Sequence, residues 1–149
     1  MARDTCSRAD KMASRPEEQA VAAAVAVLSR GGLAALPTET VYGLAALASS
    51  DEAVARLYAA KGRPASNPLI VHVASLDEAA AFADTGPAAA VADLWPGPLT
   101  VVLNLTDPGA VSAAALAGGT TVAVRIPASP LFRRIVAQTG PVVAPTSAW

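Results

Sequence analysis

The 149-residue chain contains few of the residues that build disulfide, metal or nucleic-acid sites. It has one cysteine, Cys6, and one histidine, His72, which excludes an internal disulfide and a metal cage of several such ligands. The formal net charge is −1, so the chain lacks the strongly basic composition of a generic nucleic-acid binder, and any RNA contact must be local. The single cysteine suits a reducing compartment, and we expect a cytoplasmic protein.

Long apolar runs and glycine-rich phosphate loops are also missing. Although 53% of the residues are hydrophobic, no run approaches the roughly 18 uninterrupted apolar residues of a membrane helix. Neither a Gly-x-Gly-x-x-Gly nor a Walker loop occurs, so an anion site would have to be built from side chains. Residues 1–15 mix charges of both signs without the apolar core of a secretory signal, and predict a disordered tail in which Met12 is a second candidate start.

The remaining sequence alternates between strand and helix patterns, which predicts a single α/β domain over residues 16–149. Pro16 and the acids after it begin a helix that ends before Gly31. The other predicted helices cover residues 51–60, 76–84, 87–94, 111–117 and 130–138, with caps at Ser75 and Ser129 for the second and last. The predicted strands cover residues 33–36, 41–48, 69–73, 99–105 and 121–126, and a last strand begins at residue 142.

The stretch from Lys61 to His72 is a candidate anion site. Lys61 and Arg63 are isolated cations, because no Lys or Arg occurs between residues 64 and 124. Their alternation around Gly62 predicts that both side chains project from one side of an extended segment, where a point charge and a planar fork suit phosphate oxygens. An ordinary helix end, where cations complement the helix dipole, would have the same residues.

Other polar residues also have two interpretations. Arg125 ends an apolar strand, where a guanidinium must be paired or must face a cleft. His72 fits a ligand contact or a buried histidine with satisfied hydrogen bonds, and residues 38–40 fit a site or an ordinary turn. Residues 95–98 are interpreted as a rigid turn with a packed indole. The hydroxyls of residues 145–149 follow a strand, a place where α/β proteins bind ligands.

Six segments, in order, resemble the YrdC-type threonylcarbamoyl-AMP synthases over about residues 17–148. They are Pro37–Leu44 (PTETVYGL), Lys61–Pro64 (KGRP), Asn67–His72 (NPLIVH), Trp95–Thr100 (WPGPLT), Val122–Pro127 (VAVRIP) and Ala144–Ala148 (APTSA). The resemblance implies a twisted, mixed β-sheet flanked by helices, with a concave, positively charged cleft. It also implies a nucleotidyltransferase that converts L-threonine, bicarbonate and ATP into L-threonylcarbamoyl-AMP and pyrophosphate.

That reaction is the first step of N6-threonylcarbamoyladenosine formation in tRNA. The resemblance therefore implies a partner, the transferase complex that moves the threonylcarbamoyl group to tRNA, together with at most a weak tRNA contact of this chain. It implies ATP as a substrate and Mg²⁺ that arrives with the nucleotide, with no metal ligands from the protein.

The resemblance implies residue roles as well. Arg63 and Asn67 match ATP contacts of the family, and Lys61 is the other cation of that motif. Lys61 and Arg63 are the candidate catalytic residues, because they would offset phosphate charge. Thr121 and Ser147 match further nucleotide contacts.

On the threonine side, Thr40, His72 and Arg125 match the family's contacts. Arg125 would clamp the threonine carboxylate. Leu69 and Val124 would form apolar walls that keep water from the labile intermediate.

The chain departs from the family pattern after Ala148, where Trp149 takes the place of an Asn and the Ser-Gly loop that follows it. We expect a C-terminal part of the domain to be missing, through a fragment, a frameshift or a short form, and the chain to be active or inactive accordingly. One alternative is a non-catalytic module that binds double-stranded RNA or tRNA on the same surface, against which the net charge of −1 argues. Another is the related domain of hydrogenase-maturation carbamoyltransferases, whose zinc-finger cysteines do not occur here.

Overall fold

The computed structural model describes residues 18–37, 42–62 and 68–144. Its described part begins in helix α1 (residues 18–29). The strands are β1 Ala34–Pro37, β2 Tyr42–Leu47, β3 Ile70–His72, β4 Thr100–Asn104, β5 Thr121–Arg125 and β6 Val142–Ala144. The further α-helices are α2 Asp51–Lys61, α3 Leu76–Ala80 and α4 Pro130–Thr139, and 3-10 helices occupy Gly86–Leu94, Pro108–Ala110 and Ala113–Leu116. The predicted α/β class is confirmed, whereas the predicted tail lies outside the described residues.

The six strands form one sheet in the order β1-β2-β6-β3-β5-β4. All described neighbours are antiparallel except β3 and β5, which run parallel with His72 opposite Arg125. The sheet is therefore mixed, as predicted. Because register partners point to the same side of a sheet, this pairing decides which side chains meet on each face.

One face of the sheet, the back face, carries the larger core. Val71, Val124 and Val143 are register neighbours on this face, and each is fully buried. Helix α2 packs against them through Val54 and Leu57, which are also fully buried. The result is a continuous apolar layer of the kind that alternating strand patterns predict.

On the opposite, front face, the described helices cover three of the six strands. Helices α1 and α4 pack there on β1, β2 and β6, in a second core cluster of buried residues: Val21, Leu28, Leu36, Ala45, Phe132, Ile135, Val136 and Val142. Helix α4 is fixed at its start by the predicted cap, where the Ser129 hydroxyl accepts a hydrogen bond from Phe132 N at 3.3 Å.

Three predicted helices differ in the structure. The helix capped by Ser75 ends at Ala80 rather than at residue 84, because Ala83 bridges to Leu105 and Asp84 N donates to Asn104 O at 2.9 Å. The chain there joins the edge of β4 instead of continuing the helix. Residues 86–94 and 113–116 are 3-10 helices rather than α-helices, and the second ends at Ala117 in the left-handed conformation, φ 52°.

Leu57 and Leu94 provide a matched test of the back-face core. Leu57 is 0% exposed and Leu94 is 62% exposed. We expect Leu57→Ala to lower the free energy of unfolding by about 2–5 kcal/mol, because it leaves a cavity against the sheet. Leu94→Ala should change it by less than about 0.5 kcal/mol. Denaturant titration measures both, and similar losses for the two variants would contradict this description of the core.

Glu78 predicts a pH-dependent contribution to stability. Burial raises the pKa of its carboxyl, and a hydrogen bond from the backbone of Ala74 opposes this rise. The folded state therefore prefers the protonated carboxyl, so stability falls as pH rises from the unfolded pKa through the higher folded one. We expect Glu78→Gln to raise Tm near neutral pH, with a gain that vanishes below about pH 4.

Thermal unfolding at both pH values measures this effect. Glu52→Gln is the control, because Glu52 lies exposed in the first turn of α2, where a carboxylate favours the helix dipole. Its Tm should not rise at neutral pH. A Glu78→Gln gain that persists at acid pH would contradict the assignment to the charged carboxylate.

Candidate functional site

The half of the front face that no described helix covers is the candidate site, and we call it the open face. Its side chains come from β3, β5 and β4, and each is partly or fully exposed: Ile70, Thr100, Val102, Asn104, Thr121, Ala123 and Arg125. The register places apolar residues in the middle, where Ile70 and Val102 both pair with Ala123. Polar residues lie at the two ends.

His72 and Arg125 meet at one end of the open face. They are register partners at the ends of the parallel strands β3 and β5, and Val73 N donates to Arg125 O at 3.0 Å beside them. Adjacent strands lie about 4.8 Å apart, so the two side chains start as direct neighbours on the front face. The structure thus brings together two of the three residues predicted to contact threonine.

His72 is both a buried histidine and a neighbour of the open face. It is 2% exposed, and its ring stacks on Phe132 of α4 with centroids 5.0 Å apart and an interplanar angle of 22°. Its Nδ1 lies 3.1 Å from Ile70 O. Because a carbonyl oxygen only accepts, Nδ1 must carry a proton, and in the neutral ring Nε2 is then the acceptor.

Arg125 is held from the side by the turn before β4. Its Nε donates to Gly97 O at 3.1 Å, and Gly97 N donates to Ile126 O at 2.9 Å. The buried Trp95 closes this turn, because its indole Nε1 donates to Leu99 O at 2.7 Å. The predicted rigid turn with a packed indole is confirmed. Its contact with Arg125 was not predicted, since only the antiparallel pairing of Thr100 with Arg125 brings the turn there.

Lys61 corrects one prediction about the anion site. The extended segment predicted around Gly62 is wrong at its start, because α2 continues to Lys61 and Gly62 takes the left-handed conformation, φ 60° and ψ 31°. Lys61 therefore lies at a helix C-terminus, where its charge complements the dipole. Arg63 and Asn67 lie outside the described residues, as do Thr40 and Ser147.

Thr121 lies at the other end of the open face. It is exposed at the start of β5, opposite Asn104 of β4. Arg125 lies four positions further along the strand, which corresponds to roughly 13 Å, and both side chains point to the front face. The predicted nucleotide contact and the predicted threonine contact are thus separated by nearly the full length of the strand.

The predicted apolar walls are wrong. Leu69 is 1% exposed and Val124 is 0% exposed, and both belong to the larger core cluster. Val124 points to the back face because it alternates with Arg125 along β5. On the open face, Ile70, Val102 and Ala123 supply the apolar surface instead.

The segment at residues 112–116 bonds to the described chain before and after positions 63–67, which the sequence did not predict. Tyr58 of α2 donates its hydroxyl to Ala114 O at 3.1 Å, and Leu69 N donates to Ala115 O at 2.9 Å. The Ser112 hydroxyl also donates to Asp51 Oδ1 at 2.6 Å. The described residues before and after positions 63–67 are therefore bonded to neighbouring backbone carbonyls, through Tyr58 and Leu69.

Neither a metal-binding cluster nor a membrane-spanning helix is found in the described ranges 18–37, 42–62 and 68–144. These residues contain no group of three or more His, Cys, Asp or Glu side chains able to hold a metal ion. None of their helices has the length and apolar character needed to cross a membrane.

A family profile and several known proteins match most of this chain. A family profile, that of the Sua5/YciO/YrdC proteins described as "Telomere recombination", matches residues 26–149. A threonylcarbamoyl-AMP synthase of Bacillus subtilis is 43% identical over 133 residues, which are 85% of this chain and 38% of that protein. One of Chromohalobacter salexigens is 37% identical over 131 residues, which are 86% of this chain and 70% of that protein.

A solved structure agrees in fold. Sua5 of Pyrococcus abyssi, crystallised with L-threonine, matches with a TM-score of 0.79 and 41% identity, over 87% of this chain and 38% of that one. The chain thus spans about two fifths of the length of these longer relatives. The predicted mixed sheet flanked by helices is confirmed.

The tautomer of His72 is a direct test of the site geometry. We expect long-range ¹H–¹⁵N correlation spectra at neutral pH to show the proton on Nδ1, because Ile70 O accepts from that atom. His72 is the only histidine, so its ring signals need no further assignment. A ring protonated on Nε2 alone would contradict the geometry.

Proposed function

Because this chain belongs to the Sua5/YciO/YrdC family, we propose that it makes L-threonylcarbamoyl-AMP and pyrophosphate from L-threonine, bicarbonate and ATP. The observation that carries the proposal is the register pairing of His72 with Arg125 at one end of an open sheet face. It is supported by 41% identity to a protein that was crystallised with L-threonine. The relatives' name supplies the reaction.

This reaction requires the protein mainly to position the substrates and to offset the charge of the phosphates. The threonine amine and bicarbonate form a carbamate with loss of water, and a carbamate oxygen then attacks the α-phosphorus of ATP in line with the departing pyrophosphate. No nucleophilic side chain is needed. Holding two substrates in reacting geometry and offsetting the charge of the phosphates supply the rate enhancement.

Threonine is proposed to bind at the His72–Arg125 end. The guanidinium of Arg125 is a planar donor that matches a carboxylate. In the neutral ring, Nε2 of His72 is an acceptor, which suits an amine or hydroxyl hydrogen of threonine. Thr40 is proposed as a further threonine contact.

ATP is proposed to bind along the rest of the open face. Lys61 and Arg63 would offset the charge of its phosphates, and Asn67, Thr121 and Ser147 would contact the nucleotide. Mg²⁺ would be held by the phosphate oxygens and arrive with ATP. The apolar middle of the open face, around Ala123, would limit the access of water to the intermediate.

The proposal also includes the use of the product, the location of the reaction and the extent of the domain. The product is an activated carbamoyl adenylate, which a transferase complex would consume to modify tRNA, and any tRNA contact of this chain would be weak because its net charge is −1. We propose a cytoplasmic location, where ATP and tRNA are supplied. Residues 16–149 are proposed to be one domain.

The proposal is tested by pyrophosphate release. We expect the chain, with ATP, Mg²⁺ and bicarbonate, to release pyrophosphate only when L-threonine is added. Arg63→Ala should abolish this release, and Arg125→Ala should raise the KM for threonine about tenfold or more, because a charge-assisted bidentate contact is lost. Arg30→Ala, at an exposed arginine after α1, should leave both the rate of pyrophosphate release and the KM for threonine unchanged.

Pyrophosphate release without threonine, or release that survives Arg63→Ala, would contradict the proposal. A folded chain that neither releases pyrophosphate nor binds L-threonine in calorimetry would also contradict it. If salt-dependent RNA binding were then found, unaffected by ATP and threonine, it would favour the non-catalytic RNA-binding alternative.

A further inference from the structure

An arginine that recognises a carboxylate must be held in one orientation. The side chain has several rotatable bonds, so ordering it on binding costs free energy unless the protein fixes it beforehand. Arg125 is half-buried at the end of β5, and the strand pairing positions only its backbone. One contact that directs its guanidinium is the hydrogen bond from Nε to Gly97 O, at 3.1 Å.

The Gly97 carbonyl is itself held in place by its turn. Gly97 is buried, its N–H donates to Ile126 O at 2.9 Å, and a Cβ on it would lie 3.1 Å from Leu94 O. The turn residues are thus attached to β5 at the residue after Arg125. A bulkier residue at position 97 would have to displace the backbone that Arg125 contacts.

Trp95 closes the turn around Gly97. Trp95 is 9% exposed and belongs to the back-face core. Its indole Nε1 donates to Leu99 O at 2.7 Å, and its backbone N–H donates to Ala92 O at 3.1 Å. One side chain therefore spans the turn from residue 95 to residue 99. Loss of the indole N–H would leave Leu99 O without this donor and release the constraint on the turn.

We propose that Trp95 is a positioning residue for Arg125, acting through the Gly97 carbonyl. Because Nε–H is donated to Gly97 O, the edge of the guanidinium that includes Nε is already engaged, and a carboxylate would be met from the Nη side. The identity of that carboxylate as threonine's rests on the proposed function. The orientation of Arg125 does not.

The orientation is tested without any ligand. We expect the Arg125 Nε–H to give an NMR signal that exchanges slowly with water, identified by its absence in Arg125→Lys. Trp95→Phe keeps the apolar ring but removes the donor, so exchange at this Nε–H should become at least several-fold faster. Tyr58→Phe is the matched control, since it also removes one aromatic donor to a backbone carbonyl, Ala114 O. It should leave the Arg125 signal unchanged.

The role in recognition is tested by binding of L-threonine. Trp95→Phe should weaken binding about fivefold, the equivalent of one hydrogen bond of about 1 kcal/mol. In an Arg125→Lys background the same change should have no further effect, because the residue through which Trp95 acts has lost its Nε–H. L-Threonine methyl ester, which lacks the carboxylate, should bind both proteins equally.

These outcomes separate the two proposals. An equal loss in the Arg125→Lys background, or an unchanged Arg125 Nε–H exchange rate in Trp95→Phe, would overturn the positioning role and make Trp95 a general packing residue. A wild-type chain that binds no L-threonine, yet shows the expected exchange behaviour, would contradict the proposed function while the positioning of Arg125 stands.

Discussion

The parallel pairing of β3 with β5 is the constraint on which the site depends. Antiparallel neighbours would place the end of one strand beside the start of the other, whereas parallel strands end together. His72 and Arg125 are the last residues of β3 and β5, so this pairing alone makes them neighbours on one face. The antiparallel pairing of β4 then adds Thr100 and the turn before it to the same end. The candidate site is thus assembled from three segments that are far apart in sequence.

The described helices cover the front face unequally, which explains why its side chains on β3, β5 and β4 are exposed rather than part of the core. Helices α1 and α4 bury the front face over β1, β2 and β6, and Phe132 of α4 reaches as far as His72. Beyond His72 the same face is partly or fully exposed, with Val102 64% exposed on β4. The histidine therefore lies at the boundary, where a rigid ring stack fixes its orientation while the adjacent surface is open to a ligand.

Much of the fold could be predicted because its signals are local. Alternating apolar residues, Ser caps and Gly stops located most strands and helices to within a few residues, and β6 begins at Val142 as predicted. One error arises where distant backbone decides the local structure, because the helix capped by Ser75 ends early to join β4. The other is local: α2 extends to Lys61 and ends at the left-handed Gly62, where the alternation around Gly62 predicts an extended segment. His72 and Arg125 stand out in the sequence as candidate site residues, and the family resemblance implies their threonine contacts. Their pairing, and the back-face position of Val124, depend on a register that no local pattern specifies.

The scarcity of cations makes their geometry decisive. No Lys or Arg occurs between residues 64 and 124, so a ligand on the open face cannot be held by a general positive field. Its charges must instead meet a few groups held in fixed positions. Arg125 gains that fixed position from the Gly97 carbonyl, and Lys61 from the end of α2, itself attached through Tyr58 to the 113–116 helix. Because the acceptor in each turn or helix contact is a backbone carbonyl, these contacts depend on the indole N–H of Trp95 and on the hydroxyl of Tyr58.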